Sequence, residues 1–472
     1  MSNKFALMAV LFLVCTKSGW SQTSKYDIIP QKSAAEMAKM RAERLSENKL
    51  GLEMYDKVGT KNAKWDDDVR KGLSAFAIFL AQSQNISAKE LGFKHLEKAI
   101  KAGCTDPLVR YMYIRNAPKG IPEFSTLKEI AEYFEKVAQD MEASQYSPEM
   151  KARSRLFATL FGREAKLLMN FDIPASKMRG FIEAALKDTD PKFQRRAYDL
   201  CSDYLTMYFA LSKMRQQGFD QLMPIVNKEP AFKRVGLMLT GSHYIEYAWE
   251  ARGNGPASTV SKEGFQLFRD RLKLAEDALE AAWKLSPKEP DQLSSLTAIK
   301  MMVVEKGQGK GRDRLELWFQ RAMKADPDSV LACQMKMSYL EPKWHGNVQA
   351  MLQFGQLCVK TQNWEGYLPF ALTAAHDQIA EYLEPQARPK YYQTPTVKKD
   401  FQTVFEAHLK KHPEDRFTRS AYLKKLILMS DGVKARKQWQ ALGNEFSIYA
   451  NDAAEITALR KALEALEGGA KK

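Results

Sequence analysis

Some glycine, lysine and histidine residues of this 472-residue chain have a spacing that could bind a phosphate or a metal ion or transfer a proton. The segment 307–311 reads GQGKG, and closely spaced glycines followed by a lysine are typical of loops that cradle phosphates. Such a loop also needs a Ser or Thr after the Gly-Lys pair, because that hydroxyl binds the metal ion of the nucleotide. Lys310 is instead followed by Gly311, so we interpret the segment as a connector between helices.

Two histidine arrangements suit metal binding or proton transfer. His408 and His412 are four residues apart, so on a helix they lie on one face, as the two histidines of zinc hydrolases do. The glutamate that accompanies such a pair is missing, and no third ligand is identifiable. His376 and Asp377 form a pair without a nucleophile context. Because the common catalytic signatures are also missing, we expect no metal, no cofactor and no recognised catalytic residue.

Cysteines offer a different chemistry, oxidation to a disulfide. Cys104, Cys201, Cys333 and Cys358 lie beyond the N-terminal segment, and none has the close spacing of a zinc ligand pair. Cys333 and Cys358 are expected on successive antiparallel helices that meet at a turn near His345, which places them nearly opposite each other. An oxidising compartment would permit a disulfide between them. The alternative is two buried thiols that pack as small apolar groups.

The turn itself, PKWHGN at 342–347, has an unusual composition for a connector between helices. Lys343, Trp344 and His345 supply a cation, a large aromatic ring and an imidazole, whereas connectors are usually small and polar. One interpretation is a contact site for a partner or for an anionic or sugar ligand. The other is a tryptophan that fills the gap between adjacent helix pairs.

These residues must be positioned by helices, because two segments share one helical spacing. In each segment, residues at i, i+4 and i+7 are small or apolar and lie on one face of a helix, and a proline five residues later ends that helix. Helix pairs of this kind bury their apolar stripes only by stacking, so the pattern predicts an all-α fold, an α-solenoid of antiparallel helix pairs. The residues are Ala275, Leu279, Ala282 and Pro287 in the first segment, and Leu315, Phe319, Ala322 and Pro327 in the second.

The spacing resembles the second helix of tetratricopeptide repeats, with degenerate copies elsewhere in the chain. A longer stretch, about 241–376, resembles a family of exported bacterial helical-repeat proteins of unassigned function. That family's Pro-Lys/Arg-Trp-Gly-Gly-Ser signature appears here at 342–347, with His345 in place of the first glycine and Asn347 in place of the serine. The resemblance implies a fold and an exported location, and it supplies no catalytic residues.

The N-terminus has the pattern of a signal peptide. Lys4 precedes the apolar run Phe5–Val14, which is too short to span a bilayer, and small residues at Gly19 and Ser21 suit cleavage before Gln22. We therefore predict a signal peptide at 1–21, and a mature protein that is periplasmic or extracellular and has no membrane span.

Composition and chain breaks suggest how the mature chain is divided. Glycines and prolines cluster at 252–256 and prolines at 384–395, so we expect an N-terminal helical region (22–252), a tetratricopeptide-like repeat core (253–388) and C-terminal basic helical repeats (389–472). Residues 22 to about 45 are polar and are expected to be a loosely held leader.

Charge is concentrated near the C-terminus. Residues 388–437 contain thirteen Lys and Arg against five Asp and Glu, while the whole chain has a formal net charge of +15. The surplus suits a polyanion-binding face, but solvated helix exteriors have the same composition when apolar residues recur at helical spacing.

We expect a non-enzymatic scaffold that binds a protein or peptide partner on its concave surface. The alternatives are a basic module that binds an anionic polymer or envelope glycan, and an enzyme of unrecognised type. Nucleic acid is not an expected partner, because an exported protein seldom meets it.

Overall fold

The computed structural model describes residues 26, 28–82, 84–118, 124–168, 170–443 and 445–469. Within these residues it consists of α-helices and four short 3-10 turns, without a β-strand. The predicted signal peptide, with its cleavage site before Gln22, lies outside the described residues. The helices are α1 (Ala34–Glu47), α2 (Leu50–Val58), α3 (Asp66–Ala81), α4 (Ile86–Lys101), α5 (Pro107–Arg115), α6 (Leu127–Ala143), α7 (Pro148–Glu164), α8 (Asp172–Asp188), α9 (Gln194–Ser212), α10 (Arg215–Asn227), α11 (Lys233–Arg252), α12 (Lys262–Lys284), α13 (Gln292–Gln308), α14 (Arg312–Ala325), α15 (Val330–Tyr339), α16 (Val348–Lys360), α17 (Ala371–Glu381), α18 (Arg388–Tyr392), α19 (Pro395–Lys411), α20 (Arg416–Leu428), α21 (Gly432–Leu442) and α22 (Ala453–Gly469).

Neighbouring helices along the chain pack against each other as pairs. The closest pairs are α3 with α4, α6 with α7, α11 with α12 and α13 with α14. In the second half of the chain, we call α13, α15, α17 and α20 the first helices, and α14, α16, α19 and α21 the second helices that follow them. α13 contacts α15, and α15 contacts α17, while α16 packs mainly against α17. The predicted fold class, an all-α helical solenoid, is confirmed by this arrangement.

The two repeat segments lie on α12 and α14. Ala275, Leu279 and Ala282 on α12 are fully buried, as are Leu315, Phe319 and Ala322 on α14. Both helices end before the predicted prolines, at Lys284 and Ala325. Small residues allow neighbouring helices to approach closely, and Gly241 on α11 illustrates this: a Cβ there would lie 2.5 Å from Leu279 Cγ.

Three large hydrophobic cores follow one another along the described residues, and a fourth, small cluster contains Trp364, Leu372 and Val404. The first includes residues from Tyr55 to Ala158, the largest from Ala152 to Ile379, and the third from Ala380 to Leu463. The largest core crosses the predicted domain boundary at 252 without a break. The third core begins close to the predicted boundary near 390. The division into domains stays a prediction.

The N-terminal and C-terminal regions of the described chain are in contact with each other. α4 lies against α20, where Ser87 Oγ is 3.1 Å from Asp415 Oδ1, and the Tyr449 hydroxyl donates a hydrogen bond to the Asn116 carbonyl. The Lys89 ammonium lies 4.6 Å from the centre of the Tyr449 ring. N-terminal helices therefore cover part of the C-terminal repeats.

The prediction of a loosely held leader is wrong for the described residues. α1 begins with a capping box, in which Ser33 and Glu36 exchange side-chain and backbone hydrogen bonds. Arg41 and Arg44 on α1 form ion pairs with Asp328 and Asp326. Polar composition suggested a lack of contacts, but the contacts that hold α1 are themselves ionic and join residues far apart in the sequence.

None of the described helices has both the length and the apolar composition that a membrane span requires.

Candidate functional site

A cavity of about 210 Å³ opens on three successive first helices, α15, α17 and α20. We call it the first-helix cavity. Gln84, in the α3–α4 turn, also lines it, so the N-terminal region contributes to the cavity. Its lining comes from α15 (Val330, Cys333, Gln334, Met337), from α17 and the preceding turn (Tyr367, Leu368, Phe370, Ala371, Ala374, Gln378), from α20 (Phe417, Thr418, Ala421), and from Phe405 on α19.

Two of the helices around the cavity, α15 and α20, are capped by side chains that the sequence provides locally. Ser329 precedes α15 and its hydroxyl accepts a hydrogen bond from the Ala332 N–H. Asp415 precedes α20 and accepts from the Thr418 N–H at 3.0 Å. Such caps satisfy donors that the first turn of a helix leaves unpaired, and so they determine where each helix begins.

Asp415, which Ser87 of α4 also contacts, joins three further parts of the chain beside the cavity. Its carboxylate accepts from the Thr418 hydroxyl at 2.7 Å and lies 2.9 Å from His408 Nε2. The Tyr367 hydroxyl donates to it at 3.3 Å. Burial alone would raise the pKa of Asp415, but the hydrogen bonds from His408 and Thr418 together lower it to about 2. An ionised carboxylate therefore holds α19, α20 and the turn before α17 together.

The lining of the cavity is mostly apolar, with a few polar side chains. No lining residue carries a formal charge; the polar side chains include the amides of Gln84, Gln334 and Gln378. The Gln378 Oε1 atom is buried and accepts no hydrogen bond within the described structure. An apolar cavity of about 150 Å³ in another protein holds benzene. This cavity can therefore hold one large apolar side chain, and its amides can pair with the N–H and C=O groups that flank such a side chain.

A second, wider cavity of about 480 Å³ lies between α6, α7 and the start of α8. Both signs of charge line it, and the charges are paired: Arg155 contacts Glu135 at 2.6 Å, and Lys177 contacts Glu142 at 3.2 Å. Because a ligand would have to break these pairs, volume alone does not make it the better site.

The predicted histidine features are parts of hydrogen-bond networks. His408 is fully buried against Asp415, and its ring lies 4.7 Å from that of His412. The described residues contain no group of three or more His, Cys, Asp or Glu that could hold a metal ion. His376 and Asp377 have separate partners: the His376 ring nitrogens contact the Tyr391 hydroxyl and Asp400, and Asp377 accepts from Lys425.

The GQGKG segment is a connector, as the sequence indicated. α13 ends at Gln308, and Gly309 and Gly311 have positive φ angles of 65° and 109°, which glycine adopts without strain. The Lys310 ammonium is 2.7 Å from a carboxylate oxygen of Glu276. This lysine is therefore engaged in an ion pair that joins the connector to α12.

The loop at 342–347 packs against two helices. The half-buried Trp344 ring meets Trp249 of α11 edge-on, with centroids 5.7 Å apart, and the Lys306 ammonium lies 4.6 Å from its centre. This packing is that of a residue filling the gap between helix pairs. Lys343 and His345 are exposed, and a partner contact through these three residues stays a prediction.

The four cysteines that the structure describes are buried free thiols. Cys333 lines the first-helix cavity and is hydrogen-bonded to Cys358 behind it. Burial, and next the contact with Cys333, raises the pKa of the Cys358 thiol well above its ordinary value. A disulfide between the two stays a prediction.

Several of the basic residues in 388–437 take part in ion pairs, and others are exposed. Lys425 pairs with Asp377, Lys434 with Glu406, and Arg416 with Glu445, whereas Lys399 and Lys410 are exposed on α19. These three cations therefore form ion pairs between separate parts of the chain.

Sequence reasoning missed the first-helix cavity, because its residues come from four helices and one distant turn. The sequence contains a weak local signal of the cavity. Cavity residues are four apart on each first helix, as in Cys333 and Met337. They include small or amide side chains, whereas the apolar face of a core helix would usually carry Leu or Ile. Comparison with known proteins finds no family model that matches this chain and no curated protein similar to it.

Proposed function

We propose that this protein is a non-enzymatic scaffold that binds an extended peptide segment of a partner protein in the first-helix cavity. The observation that carries the proposal is the uncharged, apolar cavity shared by three successive first helices. Stacked first helices form extended surfaces that bind peptides in solenoid proteins, and the tetratricopeptide-like spacing on α12 and α14 supports that mode here.

The proposed ligand follows from the lining. A Leu, Met or Phe side chain would enter between Met337, Ala374 and Phe417, with the peptide backbone alongside Gln334 and Gln378. Uncharged walls give no advantage to acidic or basic side chains, since a charge would lose its hydration without gaining a partner. Affinity should therefore depend little on salt.

Peptides that differ only at one central residue test this proposal. We expect peptides with a central Leu, Met or Phe to bind at least about tenfold more tightly than those with Ala, Asp or Lys, at low and high salt alike. Ala374→Phe fills the cavity and should abolish the preference, whereas Thr403→Phe adds the same ring on the exposed outer face of α19. Equal binding of all peptides, or no effect of Ala374→Phe, would reject the proposal. Salt-sensitive capture of anionic glycan would favour the basic-module alternative instead.

The location that we propose is the periplasm or the exterior of the cell. It rests on the charged and apolar pattern of Lys4 and Phe5–Val14 and on the small residues before Gln22. Mass spectrometry of the protein from the cell envelope or medium should show a chain that begins at Gln22. An intact Met1 or Ser2 terminus there would contradict the proposal.

A further inference from the structure

α1 lies across the turns of the repeat region and contacts successive pairs from one side. The Arg41 guanidinium donates two hydrogen bonds to Asp328, each 2.8 Å, and a third to Asn363 Oδ1 at 3.0 Å. One helical turn later, Arg44 donates to Asp326 at 2.6 Å. These contacts join α1 to the turn after α14 and to the turn after α16.

The contacts of α1 with the repeat turns are ionic. Arg44 is its only buried residue, and none of its apolar side chains is buried. Lys39, on the same helix, pairs only with Glu43 of α1 at 3.8 Å, with both side chains exposed. α1 also packs against α3, with Met37, Met40 and Leu45 half-buried. The two arginines are therefore its ionic link to the repeat turns.

The receiving surface consists of Asp326, Asp328 and Asn363, which we call the acidic turn. Asp328 is only 5% exposed, and burial alone would raise its pKa; the hydrogen bonds from Arg41 and Asn363 lower it instead. Asn363 is itself oriented by hydrogen bonds to Asp328 and to the Pro327 carbonyl. The site is therefore built to hold a planar guanidinium by two parallel hydrogen bonds, a geometry that lysine cannot reproduce.

Only one of the two repeat prolines has an aspartate on each side. Pro327 lies between Asp326 and Asp328, whereas Pro287 lies between Ser286 and Lys288. The acidic turn is therefore a local feature of one repeat and does not follow from the repeat pattern.

We propose that the acidic turn is a docking site for a basic helix with two arginines three residues apart, and that α1 occupies this site in the isolated chain. A partner helix of the same chemistry would replace α1 there. Charge complementarity and the guanidinium geometry carry the proposal, because α1 itself shows the ligand that the surface accepts. The site is separate from the first-helix cavity, whose lining includes none of these residues.

A labelled peptide with the sequence of residues 26–47 tests the proposal against the full-length protein. Arg41→Gln with Arg44→Gln, the released variant, should detach α1 from the acidic turn. The peptide should then bind this variant at least about tenfold more tightly than it binds the wild type, in which tethered α1 competes. Lys39→Gln is the matched control, and it should leave the site occupied. Binding should weaken as salt is raised, because the contacts are ionic.

Three outcomes decide the matter. Loss of peptide binding when Asp328→Asn is added to the released variant, or when the peptide carries Gln at its two arginines, supports the acidic turn as the site. Failure of the peptide to bind the released variant, with its helical circular dichroism intact, overturns the proposal. Binding that persists with Asp328→Asn also overturns it. Binding of the Leu-containing peptides at the cavity reports on the proposed function separately, because Arg41 and Arg44 do not line the cavity.

Discussion

Substitution of Glu316 by an apolar residue should lower the free energy of unfolding, because it leaves the buried Lys336 ammonium without its partner. Lys336 on α15 is 1% exposed, and its ammonium lies 2.7 Å from Glu316 on α14 and 4.2 Å from the centre of the Phe319 ring. Burial lowers the pKa of Lys336, and the attraction of Glu316 opposes that shift. Glu316→Leu would leave a charge in the core without an acceptor, and breaking a buried pair in this way costs about 3–5 kcal/mol.

The double variant separates the cost of an unpaired charge from the value of the pair. Lys336→Met fills similar space without a charge but leaves Glu316 without its buried partner, so alone it should also destabilise the fold. Lys336→Met with Glu316→Leu should lie within about 1 kcal/mol of the wild type, because replacing a whole buried pair by apolar groups is often close to neutral. The destabilisation of the double variant would then be several kcal/mol smaller than the sum of the two single destabilisations.

Urea unfolding monitored by circular dichroism measures each free energy of unfolding. Lys324→Gln, at an exposed position of α14, is the control and should change stability by less than about 0.5 kcal/mol. If Glu316→Leu costs no more than this control, or if the two single costs simply add, the pair is not a coupled buried unit and our reasoning about this core is wrong.

Two further predictions concern the repeats and acid stability. Ala282→Leu should overpack the fully buried contact on α12 and cost about 1–3 kcal/mol, while Lys284→Gln should cost less than about 0.5 kcal/mol; equal stability of the two variants in urea would contradict the close packing. His243 is buried against Phe219, and burial, with a contribution from Arg215, lowers its pKa to about 4. The unfolded chain binds this proton near pH 6.5, so stability should be present above that pH and fall as pH approaches 4, by about 2 kcal/mol at pH 5. The His243→Gln variant should lose this part of the pH dependence of stability. If urea unfolding shows the same loss of stability between pH 7 and pH 5 in the variant as in the wild type, the prediction is wrong.

Local periodicity was sufficient to predict the class of fold and the interior of two repeats. Residues at i, i+4 and i+7 share a helix face wherever the helix is placed, so Leu279 and Phe319 had to face a neighbour if the fold was a stack of helices. The GQGKG connector was equally local, since it requires only glycines with positive φ after a helix.

The candidate sites depend on contacts that no local pattern expresses. Gln84 reaches the cavity on α15, α17 and α20, and Arg41 reaches Asp328, 287 residues away in the sequence. Each contact depends on the curvature of the solenoid, which is the sum of small rotations between successive helix pairs. The amino-acid sequence by itself thus determined the helices, their stacking and the burial of the repeat residues. Only the tertiary structure decided which distant side chains meet, because small rotations accumulated over many helices place them together.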